Sequence, residues 1–355
     1  MDDKAIELLK ELVEAPSPSG YEQPAQRVFR KHVEPVVDSL QTDVMGNVIG
    51  RVNAASADAA KLMLAGHCDE IGFMVKYIDE NGFLFFAPIG GVDAHLVPGQ
   101  RVNVHTATGP VRGVVGKKPI HLMDPKERES VVKFKDQFID IGCSDKKMAE
   151  KLVAIGDPVT FSVGLERLQG ERVTSRAFDD KMGAWVVARV LQEVSKKTPP
   201  VHFYGVSTVQ EEIGLRGATT SAFGIDPDIG IAVDVTFSSD TPGLNMMEIG
   251  ELELGKGPII ARGANINPTL FDLLVTTAKE EAIPYQVSGM PRATGTDANV
   301  IQLARSGVAA GLIGVPLRYM HSPSEVLSLA DLENTVRLLV GLIYRIESKN
   351  MFIPN

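Results

Sequence analysis

The stretch KLMLAGHCDE at residues 61–70 decides the fold class that we predict. Its first half is a short, nearly continuous apolar run, which is typical of a strand covered on both faces of a sheet. The run stops on polar residues, beginning with His67. Because ligands of open α/β sheets bind just beyond the carboxyl ends of the strands, the stretch predicts an α/β protein with a functional site at that edge.

Three more apolar runs of this kind lie further along the chain, at 201–209, 229–233 and 309–315. Helical patterns and one hairpin pattern occupy other segments: helices at 3–14, 22–34, 180–197 and 330–346, and the hairpin at 44–52. Buried strands that alternate with helices indicate a mixed, largely parallel sheet flanked by helices.

Residues 72–164 interrupt this pattern with short strand patterns that Gly and Pro punctuate. Such a texture is typical of an all-β unit rather than of alternating strands and helices. We therefore predict one α/β domain built from residues 1–71 and 165–355, with a small all-β, barrel-like dimerisation domain inserted at 72–164.

The composition excludes several classes of protein. The chain has 355 residues, 44% of them hydrophobic, and a formal net charge of −9. This acidic balance argues against a nucleic-acid partner. No apolar run approaches the roughly 18 residues of a membrane span, and the first residues lack the order of a signal peptide. Two cysteines cannot form a disulfide framework, so we expect a cytoplasmic protein without a membrane partner.

Side chains that can bind metals collect at the predicted strand ends and before the long helix: His67, Asp179, Glu212, Asp234 and His321. Buried carboxylates packed this closely would raise one another's pKa unless cations held them together. Imidazole with carboxylates suits zinc, cobalt or manganese. Five ligands with one shared carboxylate would serve two ions about 3.5–4 Å apart. Glu211, beside a ligand but free, would be placed to act as a general base.

Each of these features has a simpler explanation when it is taken alone. A single His67 is more often a core residue, the pair Glu211-Glu212 is common on solvated helix ends, and Asp179-Asp180 is a frequent helix cap. Their coincidence at one sheet edge favours the metal site. Residues 250–256 match the first seven positions of a phosphate loop, but Gly257 stands where a magnesium-binding hydroxyl is required, so we expect no nucleotide site.

Nearly the whole chain resembles the co-catalytic metallopeptidases that include tetrahedral, glutamyl and deblocking aminopeptidases, metallopeptidase family forty-two. The resemblance rests on these motifs: PSGYE at 18–22, GN at 46–47, GHCDEIG at 66–72, AFDDK at 177–181, QEEIGLRG at 210–217, Asp234, TGTDA at 294–298 and MHSP at 320–323. It implies an aminopeptidase that uses two divalent ions, zinc or cobalt, and removes N-terminal residues from short peptides.

The resemblance also implies a role for each matching position. Asp179 would bridge the two ions, with a cis peptide bond to Asp180. His67 and Asp234 would complete one ion's ligands, and Glu212 and His321 would complete those of the other. Asp69 would orient His67, and Glu211 would be the general base for attack of water on the first peptide carbonyl.

Three further expectations complete the interpretation. The polar, Gly-containing loop that carries Arg292, Thr296 and Asp297 is expected either to line the substrate cleft or to be a structural turn. The resemblance implies self-association through the inserted domain, to a homodimer or a homododecamer. Two other functions stay open: a metal-independent β-glucan hydrolase, since paired carboxylates also cleave glycosides and some relatives carry glucanase names, and a non-enzymatic metal-bound scaffold.

Overall fold

The computed structural model describes residues 1–353 and has a mixed α/β fold. Within these residues, ten α-helices, α1 to α10, are Asp3–Glu14, Gln23–Val33, Pro125–Arg128, Lys146–Glu150, Phe178–Val194, Arg216–Ile225, Met246–Ile249, Pro268–Glu280, Ala298–Ile301 and Leu329–Ile343. Seventeen strands, β1 to β17, are Ser39–Thr42, Val48–Val52, Lys61–His67, Gly72–Ile78, Leu84–Ile89, Arg101–Thr106, Gly109–Lys117, Gln137–Asp140, Pro158–Phe161, Glu166–Arg167, Arg172–Ser175, His202–Thr208, Ile229–Phe237, Ile259–Gly263, Gln286–Met290, Ala309–Leu317 and Glu325–Ser328.

The central sheet has eight strands in the order β1-β2-β12-β3-β13-β16-β14-β15. The four middle strands, from β12 to β16, run parallel to one another, whereas β2 and β14 pair with this group in the antiparallel sense. The parallel strands are buried along nearly all of their length, because helices cover both faces. Their carboxyl ends therefore meet at a single edge.

Two apolar layers hold the helices on this sheet. The larger layer packs α1, α2, α5, α8 and α10 against one face, and the smaller packs α6 and α9 against the other. Helix α5 lies especially close to β3, because a Cβ atom on Gly66 would be only 2.3 Å from the carbonyl carbon of Gly183. The absence of a side chain at Gly66 thus brings the start of α5 to the end of β3.

Strands from residues 72–161 form a separate closed barrel in the order β4-β5-β8-β7-β6-β9. Its neighbouring strands all pair in the antiparallel sense, and its interior is apolar. Phe73 packs edge-on against both Phe86 and Phe161. A further three-stranded sheet, β10-β11-β17, lies outside the barrel and the central sheet. None of the helices in residues 1–353 is long and apolar enough to span a membrane.

Several elements differ from the sequence prediction. Strand β13 continues to Phe237 rather than ending at 233, because its last residues pair with the extended end of β16, so Asp234 lies within the strand. Helix α5 begins at Phe178, but Asp179 and Asp180 have non-helical backbone angles, and Asp180 accepts a hydrogen bond from the Gly183 N–H at 3.1 Å. Strands β8, β14 and β15 were not predicted, since their short polar or Gly-containing sequences carry little periodicity.

Candidate metal centre

The predicted ligands meet at the carboxyl edge of the parallel strands. His67 is the last residue of β3, and Glu211 and Glu212 follow β12 directly. Asp234 lies near the end of β13, and His321 follows β16. The peptide bond that links Asp179 to Asp180 at the start of α5 is cis.

Asp179 lies between the two histidines. Its Oδ1 is 3.3 Å from Nε2 of His67, and its Oδ2 is 3.2 Å from Nε2 of His321. Glu212 Oε1 also faces Nε2 of His321, at 3.3 Å. One carboxylate thus presents a separate oxygen to each imidazole, the arrangement needed for a ligand that two ions share.

Hydrogen bonds at Nδ1 decide which nitrogen of each histidine ring carries a proton. Nδ1 of His67 lies 3.1 Å from the carbonyl oxygen of Asp69, and Nδ1 of His321 lies 2.9 Å from the carbonyl oxygen of Gly91. A carbonyl can only accept, so each Nδ1 carries the proton. In a neutral ring, Nε2 then carries no proton, and its lone pair faces the carboxylate oxygens. Such a pairing needs either a second proton on the ring or a metal ion between ring and carboxylate.

Ligand atoms fall into two groups, each with its atoms within 4.8 Å of one another. One group is His67, Asp180 and Asp234, and the other is Asp179, Glu212 and His321. Asp180 is the less suitable ligand, because its two oxygens already accept the backbone N–H groups of His67 at 3.0 Å and Gly183 at 3.1 Å. By contrast, Oε1 of Glu212 is buried and accepts no hydrogen bond among the described residues. These donors fit two divalent ions.

Burial and like charges shift the carboxyl groups in different directions. Burial raises the pKa of Asp234 well above its ordinary value, and neighbouring Asp179 adds to this. The pKa of Asp179 instead lies below its ordinary value, because hydrogen bonds from His321 and His67 outweigh its burial. Close contacts with the carboxylates of Asp179 and Glu212 raise the pKa of His321 to about 11. Without metal, protonated histidine rings therefore supply the positive charge beside these carboxylates that metal ions would otherwise supply.

Glu211 lies beside this group without belonging to either ligand set. Its Oε2 is 3.8 Å from Nε2 of His67, beyond hydrogen-bond distance. Burial, with the carboxyl groups of Asp234 and Asp297 nearby, raises the pKa of Glu211 to about 9. Two divalent cations at this edge would lower that value and leave a carboxylate able to accept a proton.

Asp69 holds the turn that carries Glu211. Its Oδ1 accepts the Glu211 N–H at 3.0 Å, and its Oδ2 accepts the Glu212 N–H at 3.1 Å. The hydroxyl of Ser19 donates to the same Oδ2 at 2.6 Å. The ring of His67 is held chiefly by the Asp69 carbonyl, since the Asp69 carboxylate lies at 3.4 Å from Nδ1.

Sequence reasoning missed Glu325, which is 2% exposed. Its Oε2 accepts the N–H of Asp179 at 3.1 Å, and its Oε1 accepts the N–H of His321 at 3.0 Å. Glu325 therefore fixes the backbone of two predicted ligands that are far apart in the chain. The only sequence signal was an acidic residue four positions after His321 at the start of an apolar run.

The three predicted substrate-cleft residues differ in their surroundings. Asp297 is buried, and its Oδ2 accepts the hydroxyl of Thr208 at 2.6 Å; Thr208 pairs with His67 across the sheet. The Thr296 hydroxyl donates to that of Thr294 at 3.0 Å. Arg292 is exposed.

The segment that partly matches a phosphate loop has a structural role. The backbone N–H groups of Gly255 and Gly257 donate to the carboxylate of Asp331 at 2.7 and 2.8 Å. Because these N–H groups are already bound by a carboxylate of the same chain, they are not free to hold a phosphate.

Comparisons with known proteins bear on the function of the whole chain. A family model described as M42 glutamyl aminopeptidase matches residues 46–338. The lysyl aminopeptidase of Pyrococcus furiosus is 37% identical over 342 residues, which cover 95% of this chain and 96% of the relative. The TET aminopeptidase of a marine sediment Thaumarchaeota archaeon is 36% identical, covers 98% of both chains and has a TM-score of 0.93.

A further solved structure is that of the Pyrococcus horikoshii TET1 peptidase, which can assemble into a tetrahedron or a large octahedral shell. It is 29% identical, covers 96% of this chain and 100% of its own, and has a TM-score of 0.86. The family match and these relatives support a peptidase. The chain belongs to the M42 glutamyl aminopeptidase family and is an aminopeptidase.

Proposed function

We propose that this aminopeptidase works with two divalent ions. His67 and Asp234 would hold one ion, Glu212 and His321 would hold the other, and Asp179 would hold both. The observation that carries this proposal is the position of Asp179, whose two oxygens each face Nε2 of a different histidine at 3.3 and 3.2 Å. Nitrogen and oxygen donors of this kind suit zinc or cobalt.

The ions, when bound, supply Lewis-acid polarisation of the first peptide carbonyl and lower the pKa of the attacking water. The chain's own residues move the protons. The Glu211 carboxylate accepts a proton from the water and later returns it to the amine nitrogen of the leaving peptide. Asp69 keeps Glu211 in place, since its carboxylate binds the backbone N–H groups of Glu211 and Glu212.

The substrates of the proposed reaction are short peptides with a free N-terminus. We place Asp297 in a substrate cleft beside Glu211. Asp297 is buried and binds Thr208, the residue that pairs with His67 on the neighbouring strand. Its Oδ1 accepts no hydrogen bond among residues 1–353 and is therefore available to a substrate. We place Thr296 and Arg292 on the same loop at the rim of the cleft, where Arg292 is exposed.

The barrel supports a second part of the proposal: residues 72–164 form an inserted domain through which copies of the chain associate in the cytoplasm. Apolar side chains on this unit are exposed, among them Leu122 at 69% and Ile155 at 59%. Large exposed apolar patches are typical of contact surfaces. We expect a homodimer or a homododecamer, and a monomer in light scattering would contradict this expectation.

The variant Glu211→Gln tests the chemical proposal. The amide keeps the shape of the side chain but cannot accept the proton, so we expect turnover of aminoacyl-chromogenic peptides to fall at least about 1,000-fold. Zinc binding, measured by calorimetry, should stay at two equivalents, since Glu211 belongs to neither ligand group.

The matched control is Glu129→Gln, an exposed residue of the barrel unit, which should leave turnover unchanged. A chelator should abolish wild-type activity, and zinc or cobalt should restore it. Full activity of Glu211→Gln would show that the base is wrongly assigned, and activity that resists chelation would refute the requirement for metal.

A further inference from the structure

Residues 90–97, which belong to the loop that joins β5 to β6 of the barrel, reach the metal centre of the α/β unit. The Gly91 carbonyl accepts a hydrogen bond from Nδ1 of His321 at 2.9 Å. A Cβ atom on Gly91 would lie 3.0 Å from that nitrogen, and a Cβ atom on Gly90 would lie 3.2 Å from Oε2 of Glu212. The loop therefore lies against two ligands that the proposed function gives to the same ion.

The barrel itself holds this loop in place. Val97 is fully buried in the barrel's apolar core, and Val92 packs against that core. Between them, the Asp93 carboxylate accepts the His95 N–H at 2.9 Å, and the Ala94 carbonyl accepts the Gln137 side-chain amide of β8 at 3.4 Å. The position of the Gly91 carbonyl is thus set by the barrel rather than by the central sheet.

The two proposed histidine ligands differ in this respect. His67 is 2% exposed, and its ring is oriented by the carbonyl of Asp69, two residues further along the same chain segment. The side chain of His321 is 33% exposed. Its backbone N–H is fixed by Glu325, but its ring is held across the gap between the two units, by Gly91.

We propose that the barrel completes the metal centre, with the Gly91 carbonyl orienting His321 so that Nε2 faces Asp179 and Glu212. This inference rests on the proposed two-metal function. Partners that bind the second nitrogen of a metal-ligating histidine fix its tautomer and ring orientation, and their loss weakens metal binding. The barrel is accordingly a positioning element for one of the two ions, in addition to any part in assembly.

The variant Gly91→Ala tests the inference by calorimetric titration of the metal-free protein with zinc. The added methyl group would lie 3.0 Å from Nδ1 of His321, so the ring must shift by a few tenths of an ångström away from its hydrogen bond with Gly91. We expect one ion to bind as in the wild type and the other to bind about 10- to 100-fold more weakly. The control is Gly289→Ala in β15, where a Cβ atom meets nothing within 4 Å.

A double-mutant cycle separates positioning from general damage to the fold. In a His321→Ala background, Gly91→Ala should cause no further loss of zinc affinity, because the ring that it displaces is already absent. Unchanged affinity for both ions in Gly91→Ala, or losses that add in the double variant, would overturn the inference. A wild-type protein that binds fewer than two zinc ions would instead overturn the two-metal proposal beneath it.

Discussion

Two buried clusters of charge lie side by side at the edge of the central sheet, and they are built in opposite ways. In the first, the carboxylate of Glu70 faces both Arg176 and the Lys181 ammonium, the latter at 2.7 Å, and also accepts the Ser17 N–H at 2.9 Å. In the second, the metal centre, acidic side chains surround only two imidazoles. We call the first the Glu70 cluster; its members are Glu70, Arg176 and Lys181.

The difference between the two clusters appears in the pKa values of their buried acids. Despite full burial, Arg176 and Lys181 lower the pKa of Glu70 to about 2. Burial raises the pKa of Glu211 to about 9, since the charges near it are mostly other carboxyl groups. Burial favours a raised pKa for both acids, and only at Glu70 do cationic partners outweigh it. The Glu70 cluster neutralises itself, whereas the acids of the candidate metal centre outnumber its two imidazoles, as is typical of a functional site.

The Glu70 cluster lies where the chain enters and leaves the barrel. Glu70 precedes β4, where the chain enters the barrel, and Arg176 follows β11, where the chain has returned. Lys181 lies in α5, two residues after Asp179, and donates to the Ala15 carbonyl at 2.5 Å. The cluster therefore ties both connections between the two units to the helix that carries a proposed ligand.

The largest effect on stability is expected from Glu70→Gln. The substitution leaves two buried cations without a counter-charge, and breaking a buried pair in this way is strongly destabilising. We expect the free energy of unfolding in urea to fall by about 3 kcal/mol. This is the low end of the usual range, because burial lowers the pKa of Lys181 to about 8 and allows it to lose its proton.

The control for this variant is Glu80→Gln, which removes an exposed partner of Lys146 and should leave the unfolding midpoint unchanged. Measuring the free energy of unfolding at acid pH gives a second test. The pKa of Glu70 is about 2 in the folded chain and 4.5 ordinarily, so its contribution is complete above pH 4.5 and is lost as pH falls toward 2. Glu70→Gln should lack that part of the acid dependence. A variant as stable as the wild type would contradict the structural role.

A smaller effect of opposite sign is expected from Asp234→Asn in the metal-free protein. This nearly isosteric change removes one carboxyl group from a site where several carboxyl groups lie close together. The amide oxygen can still accept the Val235 N–H, which Asp234 Oδ1 accepts at 2.7 Å. We expect the metal-free protein to gain about 1 kcal/mol, as when a strained functional site is relaxed. Zinc, which should stabilise the wild type, should stabilise this variant much less.

Urea unfolding of both proteins with and without zinc measures these differences. The comparison between the clusters would fail if Asp234→Asn destabilised the metal-free protein as strongly as Glu70→Gln, because the metal centre would then be a structural cluster as well.

Much of the fold followed from local patterns in the sequence. The four parallel strands were predicted because each is a continuous apolar run, and α1, α2 and α10 because their apolar residues recur at helical spacing. Strand β14 and its neighbour β15 were missed, since short strands near a sheet edge owe their conformation to pairing with other strands.

The sequence alone determined which residue types stand at the strand ends, because a buried strand must be apolar and the chemistry must begin where burial stops. It could not determine what those residues touch. Glu325 and Gly91 meet the metal centre only after the chain has folded, from positions remote from His67 and Asp179 in the chain. Tertiary structure alone decided that Glu70 is neutralised while Glu211 and Asp234 are not, because electrostatic energy depends on distances in space rather than on separation along the chain.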